Sequence, residues 1–250
     1  MRPTRAMILA AGRGERMRPL TDTTPKPLLA VRGKPLIEWH LEALARDGVR
    51  EVVVNTAWLE EQIVDALGDG ARWGLRIRFS REGRDHGGAL ETAGGIAKAL
   101  PWLGECFWIV AGDVFLPGFR FDTAVGARFA ASGRLAHLWL VPNAPHHPRG
   151  DFGIDARGLA SLDARPWLTW ASVGLMRGGL VAGVVPGQRS PLRPHLHAAL
   201  AAGRIGAERY GGAWTDVGTP ERLAALNAPD GGAATTLCSS SGPPSAEELS

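Results

Sequence analysis

Along this chain, short apolar runs alternate with stretches whose apolar residues return every three or four positions. Met7 to Ala10, Val52 to Asn55, Ile77 with Phe79, and Phe107 to Val110 read as strands. Pro35 to Asp47, Leu59 to Leu67 and Thr92 to Leu100, lying between them, read as helices. In the first of these Ile37, Leu41 and Leu44 recur at i, i+4 and i+7, Pro35 suits the opening turn, and Gly48 follows as a stop. Val52-Val53-Val54 and Phe107-Trp108-Ile109-Val110 lack polar alternation, the pattern of parallel strands covered on both faces. This rhythm predicts an α/β fold: a doubly wound, mostly parallel open sheet with right-handed crossovers.

The second half is less regular. Leu135 to Val141 and Trp167 to Met176 read as strands, Leu192 to Ala202 as a helix, and Pro220 to Asn227 as a last helix capped by Thr219. Phe152 to Ile154 and Leu159 to Leu162 flank Asp155-Ala156-Arg157-Gly158 as a β-hairpin, so residues of about 142–176 are expected to form a small β-rich insertion, a lid over the sheet edge. Residues 1–227 then make one domain. From Ala228 to Ser250 the chain is dominated by Gly, Ala, Ser, Pro and Thr, has little to bury, and is expected to be a disordered tail. No internal repeat is present.

Composition narrows the partners. Among 250 residues, 28 Lys and Arg face 25 Asp and Glu, and a formal charge of +3 so dispersed argues against nucleic acid and for a small anionic substrate. The two cysteines, Cys106 and Cys238, lack metal-ligand spacing, which points to a reducing cytoplasm and no structural zinc. Ala6 to Ala11 is too short for a secretion signal, and nothing approaches the roughly 20 apolar residues of a membrane span, so no membrane is expected.

The densest chemistry is Leu9-Ala10-Ala11-Gly12-Arg13-Gly14-Glu15-Arg16-Met17-Arg18-Pro19-Leu20-Thr21, followed by Pro25-Lys26-Pro27. Glycines directly after a buried strand let backbone N–H groups approach phosphate oxygens closely. A dinucleotide-binding turn would need a third glycine, and Val52-Val53-Val54-Asn55 supplies no acid for a ribose; no P-loop Gly-Lys-Ser/Thr is present either. Instead, arginines and a lysine are delivered to one strand end, a concentration of cations that suits a triphosphate. Asp113, just past the end of the Phe107 strand, is placed either to ligate Mg²⁺ or to cap the next turn. Asp216, in Trp214-Thr215-Asp216-Val217-Gly218-Thr219, carries the same two readings. Adjacent His146 and His147 lack the spaced partners of a metal site and read as a substrate loop.

Taken together, G-x-G-x-R-x-R-P-L-T, P-K-P, the Gly112-Asp113 pair and W-x-D-V-G-T resemble the sugar-1-phosphate nucleotidyltransferases, over about residues 5–227. The resemblance extends to the short uridylyltransferases acting on N-acetylmuramate 1-phosphate, through Val141-Pro142-Asn143-Ala144-Pro145-His146-His147-Pro148-Arg149-Gly150-Asp151-Phe152. It implies a Rossmann-like fold, a sugar-binding role for the insertion, and UTP and a sugar 1-phosphate as substrates in peptidoglycan recycling. Nucleotide contacts are then expected at Ala10, Ala11, Gly12 and Gly14, with the two glycines along the triphosphate; Glu82, Thr92 and Gly94 are placed by the base and ribose. Arg16 is implied for the pyrophosphate and Lys26 for the α-phosphate and sugar phosphate, both catalytic, with Asp113 and Asp216 as joint Mg²⁺ ligands. Asn143, Gly150 and Arg165 fall on the sugar side. Two departures stand out. Gly83 to Ala89 is longer than the family's connection, which bears on base selectivity, and Ser172 replaces a usual glycine, which is expected to narrow the sugar pocket. The competing readings are another pair such as mannose 1-phosphate with GTP, and a nucleotide-sugar-binding regulator without chemistry. The motifs do not specify an oligomeric state.

Overall fold

The computed structural model describes residues 3–229; the low-complexity tail from residue 230 on, with Cys238, lies outside them. Seven strands form the central sheet: β1 Arg5–Leu9, β2 Glu51–Thr56, β3 Arg76–Arg81, β4 Cys106–Ala111, β5 Ala136–Val141, β6 Thr169–Arg177 and β7 Ile205–Arg209. Their spatial order is β7-β5-β6-β4-β1-β2-β3. β1 pairs in parallel with both β2 and β4, β2 with β3, and β5 with β7, whereas β6 runs antiparallel to β4 and β5.

Helices α1 Leu36–Arg46, α2 Glu60–Leu67, α3 Glu91–Leu103, α4 Thr123–Ala131, α5 Arg193–Ala201 and α6 Pro220–Asn227 accompany the sheet. Successive strand residues point to opposite faces, and the chain uses both. Ala6, Ile8, Val52, Val54, Trp108 and Val110 pack with Ile37, Leu41 and Leu44 of α1 and Ile63 of α2. Met7, Val53, Phe107 and Ile109 pack with Ile96 and Leu103 of α3 and Leu196 of α5 on the other side. This two-faced burial explains the unbroken apolar runs and makes the fold a doubly wound α/β sheet. A third cluster of Met17, Leu29, Val31, Leu36, Phe115, Val217 and Leu226 ties the segment after β1 to α6.

Of the seven strands and six helices named above, two were not predicted. α4 opens on Asp122, whose carboxylate accepts from the backbone N–H of Ala124 at 2.6 Å, but its Ala- and Gly-rich body carries little periodic signal. β7 is a short edge strand, Ile-Gly-Ala-Glu-Arg, that becomes a strand only because β5 offers it a free edge. The expected hairpin forms from Gly153–Ile154 and Ala160–Ser161.

Ser172 has φ of 57°, and the β6–β5 register shifts between Trp170 and Gly174. Glycine is favoured there for a left-handed backbone at a bulge. Ser172 itself lines neither of the two clefts described below, and what its position shows is this backbone conformation.

Candidate functional site

β1 is central in the sheet, and the chain leaves it toward β2 on one side and later returns to β4 on the other. Loops at such a reversal diverge and leave a crevice beyond the carboxyl ends of the strands. A cleft of about 490 Å³ lies there. Of the expected residues, Ala10, Ala11, Gly12, Gly14, Arg16, Lys26, Glu82, Thr92 and Asp113 line it.

The floor is tied together by a chain of buried hydrogen bonds. The Ala10 N–H donates to Asn55 Oδ1 at 2.9 Å, Asn55 Nδ2 donates to Glu82 Oε1 at 2.7 Å, and the Leu90 N–H donates to Glu82 Oε2 at 2.7 Å. Burial pushes the Glu82 carboxyl above its usual range, while the bonds from Leu90 and Asn55 pull the other way. Glu82 thus clamps β1, β2, β3 and the entry to α3 to one another. Asn55 is the site residue that sequence reading missed; its only signal is a lone amide closing an apolar run. The longer connection after Glu82 is taken up by a helical turn, Glu82–His86.

The positive side chains divide into two kinds. Arg13 is committed to structure: it donates to Thr21 O at 2.8 Å and Asp22 Oδ1 at 3.1 Å and lies over the Trp58 ring at 3.6 Å. Arg18 pairs with Asp22 at 2.8 Å. Arg16, on the turn Glu15–Met17, is exposed at the cleft and makes no ion pair among the described residues. Lys26 is only 8% exposed, and its Nζ lies 2.6 Å from Asp113 Oδ2. One cation is free and one is held by a carboxylate, both facing the same space.

Asp113 and Asp216 are brought together by a short antiparallel ribbon in which Asp216 pairs with Val114, and the Val217 N–H donates to Asp113 O at 2.9 Å. Asp216 Oδ1 is 3.0 Å from His146 Nε2 and 3.1 Å from Arg222 Nη1, yet it is buried without an aligned hydrogen bond. A carboxylate oxygen short of aligned hydrogen bonds, on a ribbon that also carries a second aspartate, has the donor chemistry that suits a hard cation such as Mg²⁺. Asp216 itself does not line the cleft, and among the described residues no cluster of three or more His, Cys, Asp or Glu is poised for a metal.

Behind Asp113, His40 of α1 is 2% exposed, with Nε2 unpartnered. Desolvation lowers its pKa from 6.5 to about 4, overcoming a hydrogen bond with the Val114 backbone and the attraction of Asp113. The folded chain holds His40 neutral, whereas the unfolded chain protonates it below about 6.5. Stability is therefore full above that pH and falls as acid is added toward pH 4. Between pH 7 and pH 5 the expected loss is about 2 kcal/mol. Urea denaturation at both pH values, on wild type and His40→Gln, checks this: an equal loss in the variant would assign it elsewhere.

Four further expected residues make close contacts within the protein. A Cβ on Gly94 would lie 2.3 Å from Gln188 O, and the Gly94 N–H donates to Ser190 O at 3.1 Å, so its small size lets α3 pack closely against the segment around Gln188 and Ser190. Asn143 spends its amide on Pro148 O and Trp167 O, each at 3.0 Å, and accepts from Thr169 Oγ1 at 2.9 Å. Gly150, with φ of 65°, would place a Cβ 2.6 Å from Asn143 Oδ1, so its small size serves that packing. Arg165 donates to Leu162 O and Ala164 O and lies 4.7 Å from the Trp167 ring, without itself lining the cleft at the end of β1. Of these four residues only Gly150 borders a second cleft, of about 710 Å³, which also includes Thr92.

The family model described as nucleotidyl transferase matches residues 5–158, and the chain belongs to that family. It is 48% identical over 223 residues to the N-acetylmuramate alpha-1-phosphate uridylyltransferase of Neisseria meningitidis, covering 88% of this chain and 95% of that one. The enzyme of the same name from Caulobacter vibrioides is 32% identical over 245 residues, covering 90% and 96%. Among solved structures, a proposed glucose-1-phosphate thymidylyltransferase from Bacillus anthracis, in complex with sucrose, superposes with a TM-score of 0.75 at 20% identity, covering 89% and 93%. That last likeness bears on the fold.

Proposed function

We propose that this chain joins N-acetylmuramate α-1-phosphate to UTP, giving the UDP-sugar and pyrophosphate, in the cytoplasm and in the recycling of peptidoglycan. The observation that carries the reading is the unpaired Arg16 and the Lys26–Asp113 pair facing one crevice at the end of β1. The relatives' names supply the base and the sugar. Among the described residues no helix is long and apolar enough to cross a membrane, which is compatible with small polar substrates.

A phosphate monoester is already an anionic nucleophile, so no side chain has to form a covalent intermediate. The protein's task is to align two polyanions and to neutralise charge on the α-phosphate and the leaving pyrophosphate. Backbone N–H groups from Ala11 to Gly14 receive the triphosphate, where Gly12 leaves open space at the cleft surface. Arg16 holds the departing pyrophosphate. Lys26 exchanges its bond with Asp113 for the α-phosphate and the incoming sugar phosphate. Asp113 and Asp216 would hold a Mg²⁺ ion, which would supply charge neutralisation at the phosphates.

The test is pyrophosphate release with a panel of nucleoside triphosphates and sugar 1-phosphates. Magnesium-dependent release greatest with UTP and N-acetylmuramate 1-phosphate is expected. Preference for GTP with mannose 1-phosphate would replace the substrate assignment, and tight binding without any release would make the chain a regulator.

A further inference from the structure

The second cleft meets the first at Thr92, the residue common to both. On the reading above, a sugar 1-phosphate whose phosphate lies by Lys26 has this neighbouring space open to its ring substituents. Its walls are apolar and aromatic, with Trp167, Trp170 and Leu196 among them. Its charges are lopsided. Asp151, its one carboxylate among the lining residues, is already engaged: the Trp170 N–H donates to Oδ2 at 2.8 Å, and His147 Nε2 is 3.2 Å from Oδ1. Arg149 and Arg193 also line this cleft, both exposed, and neither makes a hydrogen bond or ion pair among the described residues.

We infer that Arg149 and Arg193 select the sugar by binding a carboxylate carried on its ring, away from the 1-phosphate. The inference rests on the sugar-phosphate reading of the previous section and deepens it. Ring hydroxyls are served by neutral donors and acceptors and give no reason for two uncompensated guanidinium groups in one small cleft. A carboxylate does, because the planar guanidinium matches it with two parallel, charge-assisted hydrogen bonds. Both arginines stand on fixed supports, which limits the ordering cost of binding. Arg149 lies between Pro148, whose carbonyl is bonded by Asn143, and the tightly packed Gly150. Arg193 opens α5, anchored by buried Leu192 and Leu196. N-acetylmuramate differs from N-acetylglucosamine by a lactyl ether that bears such a carboxylate, and the tryptophan and leucine walls suit the methyl group beside it.

The deciding measurement compares kcat/KM for N-acetylmuramate 1-phosphate and N-acetylglucosamine 1-phosphate, with UTP and magnesium, in wild type, Arg149→Gln and Arg193→Gln. Wild type should prefer the carboxylate-bearing sugar, and each variant should reduce that preference roughly 10- to 100-fold, the usual cost of removing a hydrogen bond to a charged group. The loss should appear in KM more than in kcat, because the contact lies away from the reacting atoms. Arg193→Lys keeps the charge without the fork and should recover part of the preference. Calorimetric binding of the two sugar phosphates to the same proteins reads selectivity without turnover. If no triphosphate yields pyrophosphate but the binding preference exists and fades in the variants, the proposed reaction fails and the arginine assignment stands. If wild type does not distinguish the two sugars, or the variants keep its preference, the assignment is overturned.

Discussion

Replacing Arg16 with alanine will lower kcat by roughly 100- to 1,000-fold, the cost of deleting one preorganised group that stabilises developing charge. The thermal midpoint will barely move, because Arg16 is exposed and unpaired among the described residues, so nothing in the fold loses a partner. Arg13→Ala is the informative contrast. It removes the contacts to Thr21 O, Asp22 and the Trp58 ring, and should lower the midpoint. Single-turnover pyrophosphate release alongside thermal melts separates the two arginines. Wild-type turnover in Arg16→Ala would remove this side chain from the mechanism.

Changing Asp113 to asparagine will cost on the order of 1,000-fold in turnover and flatten the response of the reaction to magnesium. The substitution keeps the shape of the side chain but removes the charge that holds Lys26 Nζ at 2.6 Å. Lys26 is nearly buried, so its ammonium loses its counter-charge in the empty protein while remaining available to a phosphate. Magnesium titrations of pyrophosphate release in wild type and variant provide the check. A variant with the wild-type titration curve would show that Asp113 serves only to orient Lys26.

The division between what was legible beforehand and what was not follows range along the chain. β1, β2, β4 and α1 announced themselves because burial on both faces of a parallel sheet demands uninterrupted Val, Ile, Phe and Leu, and because a one-sided helix repeats its apolar residues at three and four positions. The glycine turn and its cations were legible for a related reason: their chemistry is contiguous and sits directly after a strand. α4 and β7 were not, since their Ala- and Gly-rich stretches take their form from a cap and from a neighbour's open edge.

Within the site, residue types were readable where their tasks were not. Asn55 and Glu82 are 27 positions apart in the chain, and only the pairing of β2 with β3 places one amide between the Ala10 N–H and a buried carboxylate. Gly94, Asn143 and Gly150 occupy expected motif positions, and only the structure shows the protein contacts that each also makes. Motif spacing registers that a residue is small or polar; it does not register whether a ligand or a neighbouring backbone requires it.

By itself, the amino-acid order determined the layering of this protein and the chemistry offered at the end of its first strand, because both arise from patterns repeated within a dozen residues. Which cations stay free, which carboxylates share a ribbon, and how two clefts meet at Thr92 were decided only in three dimensions. Pairing and burial act between segments far apart in sequence, and it is they that set the partners of each charge.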